Sequence, residues 1–371
     1  MKQWNDWRWQ LANRITKVEQ LAEYVDLTEE EVSGIQAASG RFTWAIPPYY
    51  ASLMDRKDRR CPIRMQSVPS AEELEDDLGV ADPLTEEANS PVDLIIRVYP
   101  DRVAFCVGNR CPTYCRHCLR KGTMVGKEDV DFSAARIDEG IDYIRDHGEI
   151  RDVLLTGGDP LLMPDDRIED IISRIRAIET VEVIRIGSRT PCTLPQRITP
   201  QLCKMLSKYH PLYFNTQFNH PREITPEAET ACTRLVSAGI PMGNQSVLLK
   251  GINDDLATMK TLCQQLMRIR VRPYYIYQCQ TLIATRHFRT TIEAGLEIMR
   301  GLQGSTSGLA VPKYLLDTPY GKIPLMPSYI VGRDADDMVL RSYDGKIWRE
   351  PNPLEGRAAV SLASRGQEDS G

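Results

Sequence analysis

No run of about 20 apolar residues occurs in this 371-residue chain, so no segment reads as a helix able to cross a bilayer. A basic run is missing too. With 46 Lys and Arg against 51 Asp and Glu the net charge is -5, which argues against a protein that grips nucleic acid through many phosphate contacts. The first residues carry Trp4, Trp7 and Trp9 among charges, without the apolar stretch of a secretory signal. Together these absences lead us to expect a cytoplasmic protein with neither a membrane nor a nucleic-acid partner. Core-forming material is present in ordinary amount: 42% hydrophobic and 26% charged residues, enough at this length for one large barrel or two ordinary domains. Cys61, Cys106, Cys192, Cys203, Cys232, Cys263 and Cys279 are scattered, mostly through apolar or amphipathic segments where reduced core thiols belong, and no disulfides are expected.

From Arg102 onward, β-rich runs alternate with helical patterns. Strand candidates are Val103 to Val107, Val153 to Thr156, Val183 to Ile186, Leu212 to Asn215, Gln245 to Leu249 and Tyr274 to Tyr277. Between them Ile137, Ile141 and Ile144 repeat at helical spacing, as do Ile168, Ile171, Ile172 and Ile175. Helical patterns also cover 200–208, 226–237, 256–269 and 292–302. About six β-α units in a row predict an α/β fold, a partial TIM-like barrel whose loops after the strands form the active face. Residues 1–98 read as a mostly helical N-terminal extension, with Thr28 opening one helix and Ser70 and Glu73 forming a capping box. The barrel is expected over 99–303, a C-terminal segment over 304–345, and a polar, mobile tail over 346–371.

The most specific chemistry lies in Cys111-Pro112-Thr113-Tyr114-Cys115-Arg116-His117-Cys118. Three thiolates at spacings of three and two residues can grip three irons of a four-iron cluster, leaving the fourth iron open to a reactive ligand. Zinc sites favour paired C-x2-C units instead. The C-x3-C-x2-C pattern resembles the signature of the radical S-adenosylmethionine (SAM) enzymes. Gly157-Gly158-Asp159-Pro160, directly after an apolar strand, resembles the element of those enzymes that receives the amino group of SAM, with Asp159 where Glu is more usual. In the C-terminal segment, Lys322 stands in a proline- and glycine-rich loop, Asp317 to Pro327; such an amine, if desolvated, can form a Schiff base with pyridoxal phosphate (PLP).

Taken together, these features resemble the lysine 2,3-aminomutase family of PLP-dependent radical SAM enzymes. The likeness runs through Ala81-Asp82-Pro83-Leu84, Tyr99-Pro100-Asp101-Arg102, Arg185-Ile186-Gly187-Ser188-Arg189 and Asn219-His220-Pro221. It continues in Gly243-Asn244-Gln245-Ser246 and in Arg272-Pro273-Tyr274-Tyr275-Ile276-Tyr277-Gln278-Cys279, covering the chain to about Arg341. The resemblance implies a [4Fe-4S] cluster on Cys111, Cys115 and Cys118, PLP on Lys322, and Arg120 holding the substrate carboxylate. Gly157, Gly158, Asp159, Arg189, Gln217, Asn244 and Gln245 are implied as contacts to SAM or PLP. It further implies an external electron donor, a homo-oligomer, and a 2,3-amino shift on a small amino acid, begun by a 5'-deoxyadenosyl radical.

Three positions depart from the family pattern. Its lysine-specific members use two aspartates for the substrate's terminal ammonium; Asp317 matches one, while Gln280 replaces the other. Gln217 stands where the family has His. The family's zinc-binding cysteines after Arg341 are missing, so no zinc is expected. A single acid beside Gln280 suits lysine less well than two would, yet fits the broader donor array of arginine, so a basic amino acid is favoured. Glutamate or another amino acid is the alternative; a distal carboxylate, as in glutamate, would require Arg286 to turn inward and offset Asp317. A radical SAM modifying enzyme without PLP is a rival class, disfavoured by Lys322, and an iron-sulfur sensor ranks last.

Overall fold

The computed structural model describes residues 3–127, 129–334 and 337–352. Nine strands, in sequence order, form one curved sheet: β1 (Ile95–Tyr99), β2 (Arg102–Cys106), β3 (Asp152–Thr156), β4 (Val183–Gly187), β5 (Leu212–Thr216), β6 (Met242–Leu248), β7 (Arg272–Gln278), β8 (Lys313–Thr318) and β9 (Gly321–Pro324). Strands β2 through β8 pair in parallel, and β1 and β9 close the two edges as antiparallel hairpins. The fold is thus an α/β barrel, nearly closed. All six strands expected from sequence are present. The parallel set has a seventh member, β8, whose apolar part is only Tyr314, Leu315 and Leu316 before a turn-rich loop.

Alternation along the strands sorts two faces. In β3 Val153 and Leu155 are fully buried under helices, while Asp152, Leu154 and Thr156 face a central cavity. Helices Ala134–Asp146 and Asp165–Arg176 supply the cover with the isoleucines at helical spacing, each buried to 1% exposure or less and worth roughly 2 kcal/mol of burial. Side-chain N-caps Ser133, Thr225, Asp255 and Thr291 start four of these outer helices, satisfying backbone N–H groups that have no helical acceptor. Barrel interiors are ordinarily filled by packed side chains. Here the concave face carries Arg102, Asp152, Arg185 and Gln245 around open space, which marks it as a site.

The N-terminal region is helical as expected, with Thr28 and Glu31 boxing the start of helix Glu29–Ser39. Its boundary is different. Residue 98 lies inside β1, and Ile15, Leu21, Ile35 and Tyr49 share one continuous core with Phe105 and Ile186 of the barrel. The tail also needs correction: β12 (Ile347–Pro351) pairs with β11 (Asp337–Arg341), which pairs with β10 (Ile330–Asp334), so the segment expected to be mobile from 346 begins as a sheet strand. Adjacent Ile347 and Trp348 among charges are too short a signal to outweigh the polar composition beyond them. The rest of that expectation, 353–371, lies outside the described residues. The edges of the barrel meet through one side chain, since the Lys322 backbone N–H of β9 donates to Tyr99 Oη of β1 at 2.7 Å.

Candidate functional site

A cysteine loop running over the barrel mouth must be held against solvent, and the hydrogen bonds that hold it are buried. Arg116 Nε and Nη2 donate to the Glu73 carboxylate at 2.8 and 2.6 Å, with Lys121 Nζ at 3.1 Å, and Glu73 and Arg116 are 0% and 1% exposed. Burial works to raise the Glu73 carboxyl, but bonds from Arg116 and the charge of Lys121 hold it below its usual range. Burial brings the Lys121 amine down to about 8, with Glu73 opposing the fall. So the Ser70–Glu73 capping box, legible as a helix start, also supplies the counter-ion of the cysteine loop.

Cys111, Cys115 and Cys118 line one cavity of about 600 Å³. Burial pushes the Cys111 thiol well up and Cys118 to about 11, so both are protonated until a metal displaces the proton. Among the described residues no group of three or more His, Cys, Asp or Glu converges on a point that could hold a single ion. Three thiols from one loop facing a shared cavity are of the type and number that can bind a multi-iron cluster. The other seven cysteines are free and buried, as their apolar settings implied.

The Gly-Gly turn after β3 has a structural reason of its own. Gly157 has φ +112°, and a Cβ there would meet Gly108 O at 2.4 Å; a Cβ on Gly158 would meet Arg110 N at 2.6 Å. The turn therefore presses against the strand of chain that leads into Cys111. Gly157, Gly158 and Asp159 all line the cavity. The Asp159 carboxylate is turned into the fold, accepting from Ser188 Oγ at 2.7 and 2.9 Å, Leu161 N at 3.1 Å and Arg189 N at 3.1 Å, and burial raises its pKa. It braces the β3 loop against the β4 loop.

Arg189 is saturated: it donates to Gln217 O, Tyr50 Oη, Gln66 Oε1 and Glu223 Oε1 at 3.1, 3.2, 2.6 and 2.7 Å, and to Cys115 Sγ at 2.6 Å. Gln217 and Gln245 line the cavity, the latter donating to Tyr277 Oη at 3.4 Å. Asn244 does not. Its amide bonds Phe218 N at 2.7 Å, Phe218 O at 3.0 Å and Ser246 Oγ at 2.8 Å, all buried, and so ties the β5 loop to β6.

On the opposite wall, Arg120 is bound side-on by Glu86, Nε to Oε2 at 2.8 Å and Nη2 to Oε1 at 2.7 Å. Lys322 and Asp317 face each other across the β8–β9 hairpin, with Nζ to Oδ2 at 3.4 Å, and Lys322 Nζ lies 5.7 and 6.0 Å from the ring centroids of Tyr99 and Tyr277. Burial raises the Asp317 carboxyl, and Lys322 opposes it. Gln280, which lines the cavity, donates one Nε2–H to Asp317 O at 2.8 Å. Arg286 is on the surface, bonded to Asp77 Oδ1 and Glu75 O, so the inward turn a glutamate reading required does not occur.

Residues not singled out from sequence complete the cavity. Arg102 of β2 and Arg185 of β4 lie at its floor, with Asp152 accepting from Arg185 Nε at 2.7 Å and Tyr275 of β7 close to both cations. A charged residue inside an otherwise apolar parallel strand, as Arg185 is between Ile184 and Ile186, was the available signal. Two arginines with unpaired N–H groups and a tyrosine hydroxyl suit a phosphate.

The chain matches the radical SAM superfamily model over residues 105–262 and the lysine-2,3-aminomutase model over 299–365. It is 50% identical to an L-lysine 2,3-aminomutase of Fusobacterium nucleatum, covering 95% of this chain and 83% of that protein. Identity to the L-lysine 2,3-aminomutase of Clostridium subterminale is 49%, over 95% and 85% of the two chains. A glutamate 2,3-aminomutase of Clostridioides difficile is also 49% identical, over 97% and 84%. No helix among the described residues is long and apolar enough to cross a membrane.

Proposed function

This chain belongs to the lysine 2,3-aminomutase family of radical SAM isomerases, and on that premise we propose that it moves the α-amino group of a basic amino acid, lysine or arginine, to the β-carbon with PLP held by Lys322. The observation that carries the reading is that the three thiols of the cysteine loop and the Lys322 amine, 204 or more residues apart in sequence (322 − 118 = 204), line the same cavity. A radical generated at the cluster is short-lived, and its target must be held in the same water-excluding space.

In this reading Cys111, Cys115 and Cys118 hold a [4Fe-4S] cluster that, with SAM and an electron from an external donor, supplies a hydrogen-abstracting radical. PLP supplies the route by which nitrogen migrates. Arg102 and Arg185 would take its phosphate. Arg120 takes the substrate carboxylate, which fixes the β-carbon's position, because a planar guanidinium binds a carboxylate through two parallel bonds.

The substrate's distal end is read from charge. Asp317 supplies one anion, and the Gln280 amide, one of its two N–H donors spent on Asp317 O, also offers its carbonyl oxygen as an acceptor. Both welcome a cation. With Arg286 on the surface, a distal carboxylate has no counter-ion from that direction. Sequence identity does not choose, since lysine and glutamate enzymes are equally similar. We also place the enzyme in the cytoplasm, in keeping with its ten free cysteines. We read it as a homo-oligomer, in keeping with apolar Ile330, Val331, Ile347 and Trp348 exposed on the small C-terminal sheet.

Reduced enzyme should be incubated with SAM, PLP and single amino acids, and the β-isomer sought by mass spectrometry. Conversion of lysine or arginine is expected. Conversion of glutamate or alanine with both basic amino acids inert would overturn the substrate reading.

A further inference from the structure

Arg120 has five N–H donors, and how they are divided decides what it can hold. Glu86 takes the Nε–H and one Nη2–H through the side edge of the guanidinium. The end edge, made by Nη1 and the second Nη2–H, has one hydrogen-bond partner among the described residues, Thr156 Oγ1 at 3.4 Å, a long contact. Both side chains line the cavity, and each is about 15% exposed to it. A long arginine alone in a cavity would sample many rotamers. Gripped on one edge, it presents the other in a single orientation.

Glu86 is itself fixed. It lies in the turn segment 82–90, where Ser90 Oγ donates to Glu86 O at 2.7 Å and Asn89 N to Thr85 O at 3.0 Å. Asn89 Nδ2 reaches Pro319 O, in the turn of the hairpin that carries Lys322, at 3.4 Å. The same segment therefore touches the arginine of one cavity wall and the lysine hairpin of another.

We propose that Glu86 is a positioning residue: it holds Arg120 by one edge so that the free edge receives the substrate carboxylate at a fixed distance from the radical source. This rests on the reading of Arg120 as the carboxylate partner. Glu86 also tempers the charge of the wall, because its anion partly cancels the guanidinium. Removing it should leave binding largely intact, since the cation stays and loses a competitor, while orientation is lost. The signature is in kcat, not in KM.

The test compares Glu86→Ala, the near-isosteric Glu86→Gln and Arg120→Lys in the full chain loaded with cluster and PLP. Three quantities are read: kcat and KM on the accepted amino acid, substrate affinity by calorimetry without reductant, and the ratio of 5'-deoxyadenosine formed to β-amino acid formed. For Glu86→Ala kcat should fall about 100-fold, the size expected for an ångström of misplacement. Its calorimetric affinity should stay within about tenfold of the parent, while deoxyadenosine is made in excess over product. Glu86→Gln, which keeps one acceptor and the side-chain volume, should recover part of the loss and guards against a folding defect in the alanine variant. Arg120→Lys should weaken affinity by roughly tenfold or more through loss of the paired bonds. Parent-like kcat and coupling in both Glu86 variants, with Arg120→Lys impaired, would overturn the proposal and leave Arg120 in place. If Arg120→Lys binds and turns over like the parent, the carboxylate assignment itself is wrong and the role of Glu86 goes with it.

Discussion

Asp317 sits directly across the β8–β9 hairpin from Lys322, and its partial burial sets a pH dependence. Desolvation raises its carboxyl above the ordinary range even though Lys322 pulls the other way. The anion is the form that attracts a substrate cation, so KM for a basic amino acid should climb as pH falls through that raised value, earlier than for an exposed carboxylate. Folding responds with the opposite sign. A raised carboxyl binds its proton more tightly when folded than unfolded, so this group's contribution to stability grows as pH falls, and lost affinity cannot be blamed on its unfolding. Asp317→Asn should raise KM at neutral pH by about tenfold, the loss of one charge-assisted bond, and flatten that acid limb; an unchanged profile would remove Asp317 from the substrate site. At this scale the sequence was legible where a residue type is chemically unusual in its setting. The cysteine triplet, Asp317 and Lys322 stood out. Glu86 did not, because an acid in a turn is ordinary until its partner is known, and nothing in the sequence shows that the Asn244 side chain spends itself on buried backbone groups.

Among elements, the turn after β3 connects packing to chemistry. A methyl at Gly158 would lie 2.6 Å from Arg110 backbone, in the chain that delivers Cys111, and neither side is a flexible side-chain tip. Gly158→Ala should cost about 1–3 kcal/mol of overpacking strain, and anaerobically reconstituted protein should hold clearly less iron per chain. Full iron content with parent-like unfolding would show that the turn has slack. The repeated Val, Ile and Leu runs made β2 through β7 readable, since parallel strands covered by helices need them. The edge strands were not readable. β1 and β9 carry Arg97 and Lys322, β1 half-buried and β9 exposed along part of its length, and the apolar run of β8, Tyr314 to Leu316, is too short to rise above the loop chemistry around it. A sequence shows what is covered on both faces more clearly than what closes an edge.

For the whole molecule, the turn segment 82–90, the barrel and the lysine hairpin share a single cavity, and apolar Ile330, Val331, Ile347 and Trp348 of β10 and β12 are exposed. Sedimentation at micromolar concentration should give a species larger than the 42.1 kDa chain, and Trp348→Glu should shift it toward monomer; a parent that is monomeric throughout would remove the association and leave the chemistry standing. The central claim is that one cavity joins the cysteine loop to a PLP-bearing Lys322. It is tested most directly by borohydride reduction of the PLP-loaded, full-length protein followed by peptide mapping. The account expects pyridoxyl on Lys322 alone, and a label confined to Lys250 or Lys313, both on the exposed surface, would contradict it.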